Sequence, residues 1–303
     1  MSDPTLIDGL PAWVDRDEYP FAPHWLDVPG GRLHYVDEGE GPAVVMVHGN
    51  PAWSFPYRTL ILRLRGAYRC VAPDHLGFGL SEKPRGWSYL PQDHAANLER
   101  LIDGLGLRDV TLVVQDWGGP IGLAYAAAHP GNVSRLVITN SWAWPVNRDP
   151  YYLAFSGFMG GPVGRYLIGH HNFFAGTMMK RLFGDPGKLT AATHEQYLLP
   201  LADPRDRTGC MELPRQILRA TPWLAELWRG VRGLGGKPAL IVWGDRDIAF
   251  RRKELLRWES AFPMARVVHL PGAGHYVLEE APDEVCDAVA SFLTETAGRV
   301  GSG

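Results

Sequence analysis

Short runs of apolar residues with no polar interruption, spaced by segments of helical character, restrict the fold of this chain more than any other feature. Ala43-Val44-Val45-Met46-Val47 holds no polar residue, and neither do Cys70-Val71-Ala72 and Ala239-Leu240-Ile241-Val242-Trp243. Thr111-Leu112-Val113-Val114, Arg135-Leu136-Val137-Ile138-Thr139 and Arg266-Val267-Val268-His269 have polar residues only at their ends. A strand covered on one face alternates apolar and polar residues, whereas one that does not alternate must be covered on both. Gln92 to Leu105 has helical spacing, and Ile121 to Ala128 is an Ala-rich helical stretch. Strands alternating with helices in this way predict an α/β fold: a mostly parallel central sheet with helices on both faces. Arg32 to Asp37 alternates, which predicts an exposed strand.

The rhythm breaks between about Pro145 and Leu218, where aromatics, Met and Gly lie in loosely helical pieces, and it resumes at Ala239. This reading divides the chain into a first core part, 1–144, a helical cap, 145–218, and a second core part, 219–303. Because the same strand pattern returns afterwards, an insertion is favoured over an independent second domain. An insertion at the carboxyl end of a strand of an open α/β sheet lies over the ligand crevice. Tyr151, Tyr152, Phe155, Phe158, Met159, Phe173 and Phe174 are read as the core of the cap helices, and a final helix is expected from about Asp283 to Thr294.

The bulk properties exclude several classes. A length of 303 residues is enough to bury a large core, and 46% hydrophobic with 21% charged residues is ordinary for a globular protein. With a net charge of -3 and a pI near 6.4 the chain has no basic field for a nucleic-acid partner. Cys70, Cys210 and Cys286 are odd in number and far apart, which argues against a disulfide framework and against zinc; they are read as reduced and packed. No apolar run reaches a membrane span. The amino terminus has neither a basic stretch nor an apolar run of the signal-peptide kind, so a cytoplasmic enzyme is expected. His170-His171 lacks metal-ligand spacing and is read as surface.

Chemistry gathers at three strand ends. Thr111 to Val114 runs into Gln115-Asp116-Trp117-Gly118-Gly119 and then a helix, the strand–turn–glycine–helix layout of a nucleophile elbow. No G-x-S-x-G occurs in the chain; Asp116 stands at the elbow, with Val114 in place of the usual small residue. A serine needs a base before it attacks, whereas a carboxylate is ionised at neutral pH and can attack an sp³ carbon directly. The plainer alternative is a helix N-cap, a position Asp favours.

The first apolar strand ends in His48-Gly49-Asn50-Pro51, where Gly49 permits close backbone approach and Asn50 supplies an amide. A simple Asn-Pro turn is the alternative there, and His48 is read as structural. His275, in Pro271-Gly272-Ala273-Gly274-His275-Tyr276, follows the last buried strand; of the 11 histidines it is the one placed where a general base is expected. Gly244-Asp245-Arg246-Asp247 offers an orienting acid, Asp247 ahead of Asp245. Asn140 ends the fourth apolar strand and is expected to position a water or hydrogen-bond in the pocket. Trp142 and Trp144 are equally compatible with the pocket wall and the domain junction. Asp74 to Gly79 is read as a structural turn.

Together, His48-Gly49-Asn50-Pro51, Val114 to Gly119, Gly244 to Asp247 and Gly272 to His275 resemble the haloalkane dehalogenases, over nearly the whole chain outside the cap. Asn50 with Trp117 and a late-strand Asp resembles the subgroup called type III. The resemblance implies an α/β-hydrolase fold and hydrolytic release of halide from a small halogenated aliphatic substrate by water, without cofactor or metal. It implies catalytic Asp116, His275 and Asp247, halide donors Asn50 and Trp117, and an oxyanion hole from the backbone N–H groups of the same two residues. Some relatives carry the acid after the earlier strand, at the position Asn140 occupies here. Two rivals stay open. An epoxide hydrolase shares the Asp elbow but needs an acid, for which Tyr151, Tyr152, Tyr166 and Tyr197 are available. A non-catalytic ligand-binding homologue shares the fold, but has no need of Asp116, Asp247 and His275 together.

Overall fold

The computed structural model describes residues 6, 7 and 9–297. Its centre is an eight-stranded sheet: β1 (His24–Val28), β2 (Gly31–Glu38), β3 (Ala43–Val47), β4 (Arg69–Pro73), β5 (Val110–Asp116), β6 (Val133–Ser141), β7 (Ala239–Gly244) and β8 (Arg266–Leu270). The spatial order is β8-β7-β6-β5-β3-β4-β2-β1. From β8 to β4 all pairs are parallel, while β2 is antiparallel to both β4 and β1. The fold class predicted from the apolar runs is the one observed.

Unbroken apolar strands arise here because two cores flank the sheet. Val45, Val47, Leu112, Val114, Leu136 and Ile138 pack on one face. Their neighbours Val44, Met46, Val113 and Val137 pack on the other, with Leu240 and Val242 of β7. Helices α1 (Arg58–Leu64), α2 (Pro91–Gly104) and α3 (Gly118–Ala128) connect the central strands. Leu98, Leu101 and Ile102 of α2 join Ile121 and Leu123 of α3 in the first core, whereas Leu60, Ile61 and Leu64 of α1 enter the second.

Two strand readings are corrected. In β2 the residues Leu33 to Val36 are all buried, because β2 lies between β1 and β4 rather than at an edge. In β8 only Leu270 is buried, because β8 is the edge strand. β1 carried no sequence signal: half-exposed and exposed residues alternate along it at the opposite edge.

Between β6 and β7 the chain forms α4 (Pro150–Met159), α5 (Pro162–His171), α6 (Met179–Leu182), α7 (Ala191–Leu198), α8 (Thr208–Arg219) and α9 (Thr221–Arg232), with no strand. The α4 start is built from sequence: Asp149 accepts from the Tyr151 backbone N–H, and Pro150 occupies the first turn, where no N–H is needed. α4 packs on α8, and α9 packs on α3 beside the sheet. The chain closes with α10 (Arg252–Ala261), α11 (Val277–Glu280) and α12 (Pro282–Thr296), and α12 covers α1. No helix among the described residues is long and apolar enough to cross a membrane.

After β3 the chain passes to β4 on one side, and after β5 it passes to β6 on the other. The two strands are neighbours, so their loops diverge and leave a crevice at their carboxyl ends. Asn50 and Asp116 stand there.

Candidate active site

Asp116 ends β5 at φ +51°, a left-handed conformation that typically costs a non-glycine residue about 1 kcal/mol or more. The glycines beside it make so sharp a turn possible. A Cβ on Gly118 would lie 1.9 Å from the Val47 carbonyl oxygen, and one on Gly119 would lie 1.8 Å from Ser141 Oγ. A Cβ on Gly49 would lie 2.3 Å from Asp116 Oδ1. The carboxylate does not cap α3, whose N-cap position is Trp117. Instead Asp116 Oδ1 accepts a hydrogen bond from the Asn50 backbone N–H at 2.8 Å. Burial pushes the Asp116 carboxyl above the usual carboxylate range, while His275 and the backbone N–H groups of Asn50 and Trp117 pull the other way.

His275 Nε2 lies 3.8 Å from the second carboxylate oxygen, Asp116 Oδ2. On its other side the ring donates from Nδ1 to Asp247 Oδ2 at 2.9 Å. Burial disfavours the imidazolium, but the charge and hydrogen bond of Asp247, with the Asp116 charge behind them, more than offset this and hold His275 above the ordinary histidine value. The His275 backbone N–H donates to the Leu182 carbonyl at 2.8 Å, which ties the loop to the end of α6. Asp247 is buried in the loop after β7, and its Oδ1 also accepts from the Ala249 N–H at 2.6 Å. Asp245 faces the surface and pairs with His269 at 2.9 Å.

The crevice holds a cavity in which Asn50, Asp116, Trp117 and His275 meet walls from the helices between β6 and β7. Asn50 Nδ2 and Trp117 Nε1 have no hydrogen-bond partner among the described residues, and neither is sealed off in the interior. The other walls are almost wholly apolar: Trp142, Phe155, Phe174, Met178, Leu182, Ile217 and Phe250 among them. A cavity of this kind disfavours water and strengthens every charge interaction inside it.

Asn140 and the aromatics of 145–218 depart from expectation, whereas His48, Asp74 and the pair His170-His171 lie as the sequence suggested. Asn140 does not line the cavity. It sits beneath Asp247, at φ +26°, with Nδ2 donating to Asp247 Oδ2 at 2.8 Å and Oδ1 accepting from the Gly244 N–H at 2.8 Å. The aromatics of 145–218 are not all helix core: Tyr151, Tyr152, Phe155 and Phe174 line the cavity, and Phe158 is exposed. Trp142 lines the cavity, whereas Trp144 packs edge-on against Trp228 and Trp258. His48 is buried outside the cavity, its Nε2 accepting from the His75 backbone N–H, and Asp74 bonds His34 and the Ser54 and Leu80 N–H groups. His170 and His171 are exposed.

Two contacts had no counterpart in the sequence reading. Gln115 Nε2 lies 2.8 Å from His275 Nε2 and 3.3 Å from the His275 carbonyl oxygen. Cys210, on α8, is 2.9 Å from Asn50 Oδ1.

Residues 42–282 match the family described as the alpha/beta hydrolase fold. "Haloalkane dehalogenase 2" of Mycobacterium tuberculosis H37Rv is 42% identical over 285 residues, which cover 93% of this chain and 98% of that protein. A "cis-3-alkyl-4-alkyloxetan-2-one decarboxylase" of Shewanella oneidensis MR-1 is 35% identical over 286 residues, 91% of this chain and 90% of that one. Among solved structures, the haloalkane dehalogenase DbeA of Bradyrhizobium elkani superposes with a TM-score of 0.82 at 25% identity, covering 92% of this chain and 99% of its own. The chain belongs to the alpha/beta hydrolase fold family and, within it, to the haloalkane dehalogenase family.

Proposed function

We propose that the protein hydrolyses haloalkanes to alcohol and halide through a covalent ester on Asp116, with residues 145–218 acting as the cap that closes the cavity. The observation that carries this reading is the division of labour at Asp116: Oδ1 accepts from the Asn50 backbone N–H at 2.8 Å, while Oδ2 faces His275 across 3.8 Å. Asp116 Oδ2 attacks the halogenated carbon, and the carbon–oxygen bond forms as the halide departs with its bonding electrons. Halide needs no proton, but a bare anion in an apolar cavity is costly. The Asn50 amide and the Trp117 indole supply two neutral N–H donors to receive it.

Water then attacks Asp116 Cγ as His275 Nε2 takes its proton, and Asp247 stabilises the resulting imidazolium. The negative charge collects on Asp116 Oδ1, which already lies 2.8 Å from the Asn50 N–H. Collapse releases the alcohol, protonated by His275. One donor of this kind typically contributes about 2.7–4 kcal/mol to lowering the barrier.

An epoxide leaves as an alkoxide and requires an acid at the cavity. Tyr151 and Tyr152 line it, but their hydroxyls donate to the Ile248 and Ala249 carbonyls at 2.7 and 3.1 Å. Tyr197 donates to Glu279 away from the cavity, and Tyr166 is exposed. The epoxide reading therefore lacks its acid.

A second reading is favoured by the decarboxylase relatives at 35% and 34% identity. In an oxetan-2-one the ring C4–O bond, like a carbon–halogen bond, yields an anion that needs no proton. Attack by Asp116 at C4 would place the freed carboxylate where halide would sit. Loss of CO2 would then form the alkene and return the electron pair to Asp116, without water. The test is direct. Incubation with 1,2-dibromoethane or 1-bromobutane is expected to give steady release of halide and acid. Alkene and CO2 from a cis-3,4-dialkyloxetan-2-one with no halide from any haloalkane would favour the second reading, and turnover of styrene oxide alone would overturn both.

A further inference from the structure

The carboxamide of asparagine is nearly symmetric in shape and opposite in polarity at its two ends, so a half-turn exchanges a donor for an acceptor at almost no steric cost. An amide that serves an anion therefore needs a neighbour that decides which end faces it. Asn50 is 5% exposed, and its backbone N–H is committed to Asp116 Oδ1. Its Nδ2 has no partner among the described residues, and the residue lines the cavity. The contact at the other end of the amide is Cys210 Sγ, 2.9 Å from Oδ1.

We infer that Cys210 is a positioning residue that sets the polarity of the anion site, its S–H donor drawing Asn50 Oδ1 toward α8 so that the NH2 group faces the cavity. This deepens the dehalogenase reading and rests on it. A thiol is a weak donor, but it suffices where its competitor is a rotated amide with oxygen lone pairs aimed at an anion. Complete burial pushes the Cys210 thiol far above its usual range and keeps it protonated, so its S–H donor stays available to Asn50 Oδ1. The placement also explains a polar atom at this point of α8. Neighbouring Leu213 and Ile217 are apolar core, and an apolar residue at 210 would leave Asn50 Oδ1 buried without a donor. Since Cys210 comes from the helices between β6 and β7 and Asn50 from the sheet, the anion site is assembled across the two.

The test uses saturable quenching of tryptophan fluorescence by bromide at constant ionic strength, on the full chain and on Cys210→Ala, Cys210→Ser, Asn50→Ala and the double variant Asn50→Ala/Cys210→Ala. Loss of one weak hydrogen bond is expected to weaken bromide binding about three- to tenfold in Cys210→Ala. Cys210→Ser, which keeps a donor in the same sense, is expected within about twofold of the parent, and Cys210→Ala is expected to add nothing once Asn50 is Ala. Halide release should slow in Cys210→Ala while the single-turnover rate of ester hydrolysis holds. Unchanged bromide affinity in Cys210→Ala overturns the inference, as does an equal loss in the Asn50→Ala background, which would mark a packing effect. If the parent shows no saturable quenching, the halide reading itself falls, and this inference with it.

Discussion

Replacing Gly49 by Ala should disable the nucleophile while leaving the fold intact. The added Cβ would sit 2.3 Å from Asp116 Oδ1, 2.4 Å from its Cβ and 2.7 Å from its Cγ, where ordinary contact begins at 3.4 Å. The Gly49 backbone φ is not in the left-handed region, so the effect is steric rather than conformational. About 1 Å of separation has to be found, and only the 48–51 loop or the Asp116 side chain can supply it. Either movement breaks the 2.8 Å bond from the Asn50 N–H to Oδ1 and turns Oδ2 from its line to the substrate carbon. A misplacement of about 1 Å costs on the order of a hundredfold in rate, and a lost oxyanion donor about 10²–10³, the two here being one displacement. A fall of about 10²–10³ in kcat/KM is therefore expected, together with a stability loss of about 1–3 kcal/mol from overpacking. The assay pairs halide release from 1-bromobutane with thermal unfolding of both proteins. Activity within about threefold of the parent, with an unchanged Tm, would refute the close approach of Gly49 to Asp116.

Asp247→Asn should slow ester hydrolysis by about 10³–10⁴ and spare the first release of halide, whereas Asp245→Asn should change neither; stopped-flow halide release separates the two steps. Tyr151→Phe and Tyr152→Phe should keep dehalogenation within about threefold, because both hydroxyls are engaged by backbone carbonyls; a loss of about 10² or more, the scale of general acid catalysis, would give a tyrosine that role. Burial pushes His48 down to about 4 and His94 to about 3, so below about pH 6.5 the unfolded chain binds protons that the folded chain refuses. Stability is then full above about pH 6.5 and falls toward pH 4 by up to about 1.4 kcal/mol per pH unit for each of these histidines. His94→Phe should flatten the slope of urea-unfolding free energy against pH between 6 and 4.5 by about one proton; an unchanged slope would contradict it.

The central strands were legible because burial on both faces leaves no room for alternation, and that same rule misplaced β2 and β8. Alternation in Arg32 to Asp37 suggested exposure, but His34 is polar and fully buried, its Nδ1 paired with Asp74. Asp116, His275 and Asp247 could be picked out because each follows an apolar run and lies beside glycines. Asn140 also ends such a run, yet its amide is taken up by Gly244 and Asp247, a pairing made by the adjacency of β6 and β7 rather than by any local pattern. Gln115 escaped because neighbours on a strand point to opposite faces; a register shift between Gln115 and Asp116 lets both reach His275. Cys210 reaches Asn50 across 160 residues, a distance no spacing argument spans. The aromatics of α4 were ambiguous for a different reason: a helix face lining an apolar cavity and one packed in a core have the same composition.

Mass spectrometry of the His275→Phe variant after a single exposure to 1-bromobutane tests the covalent step most directly. The account expects one equivalent of bromide released, no further turnover, and a butyl group on the peptide bearing Asp116, absent when Asp116 is also replaced by Asn. Continued turnover by that variant, or an adduct on any other residue, would contradict it.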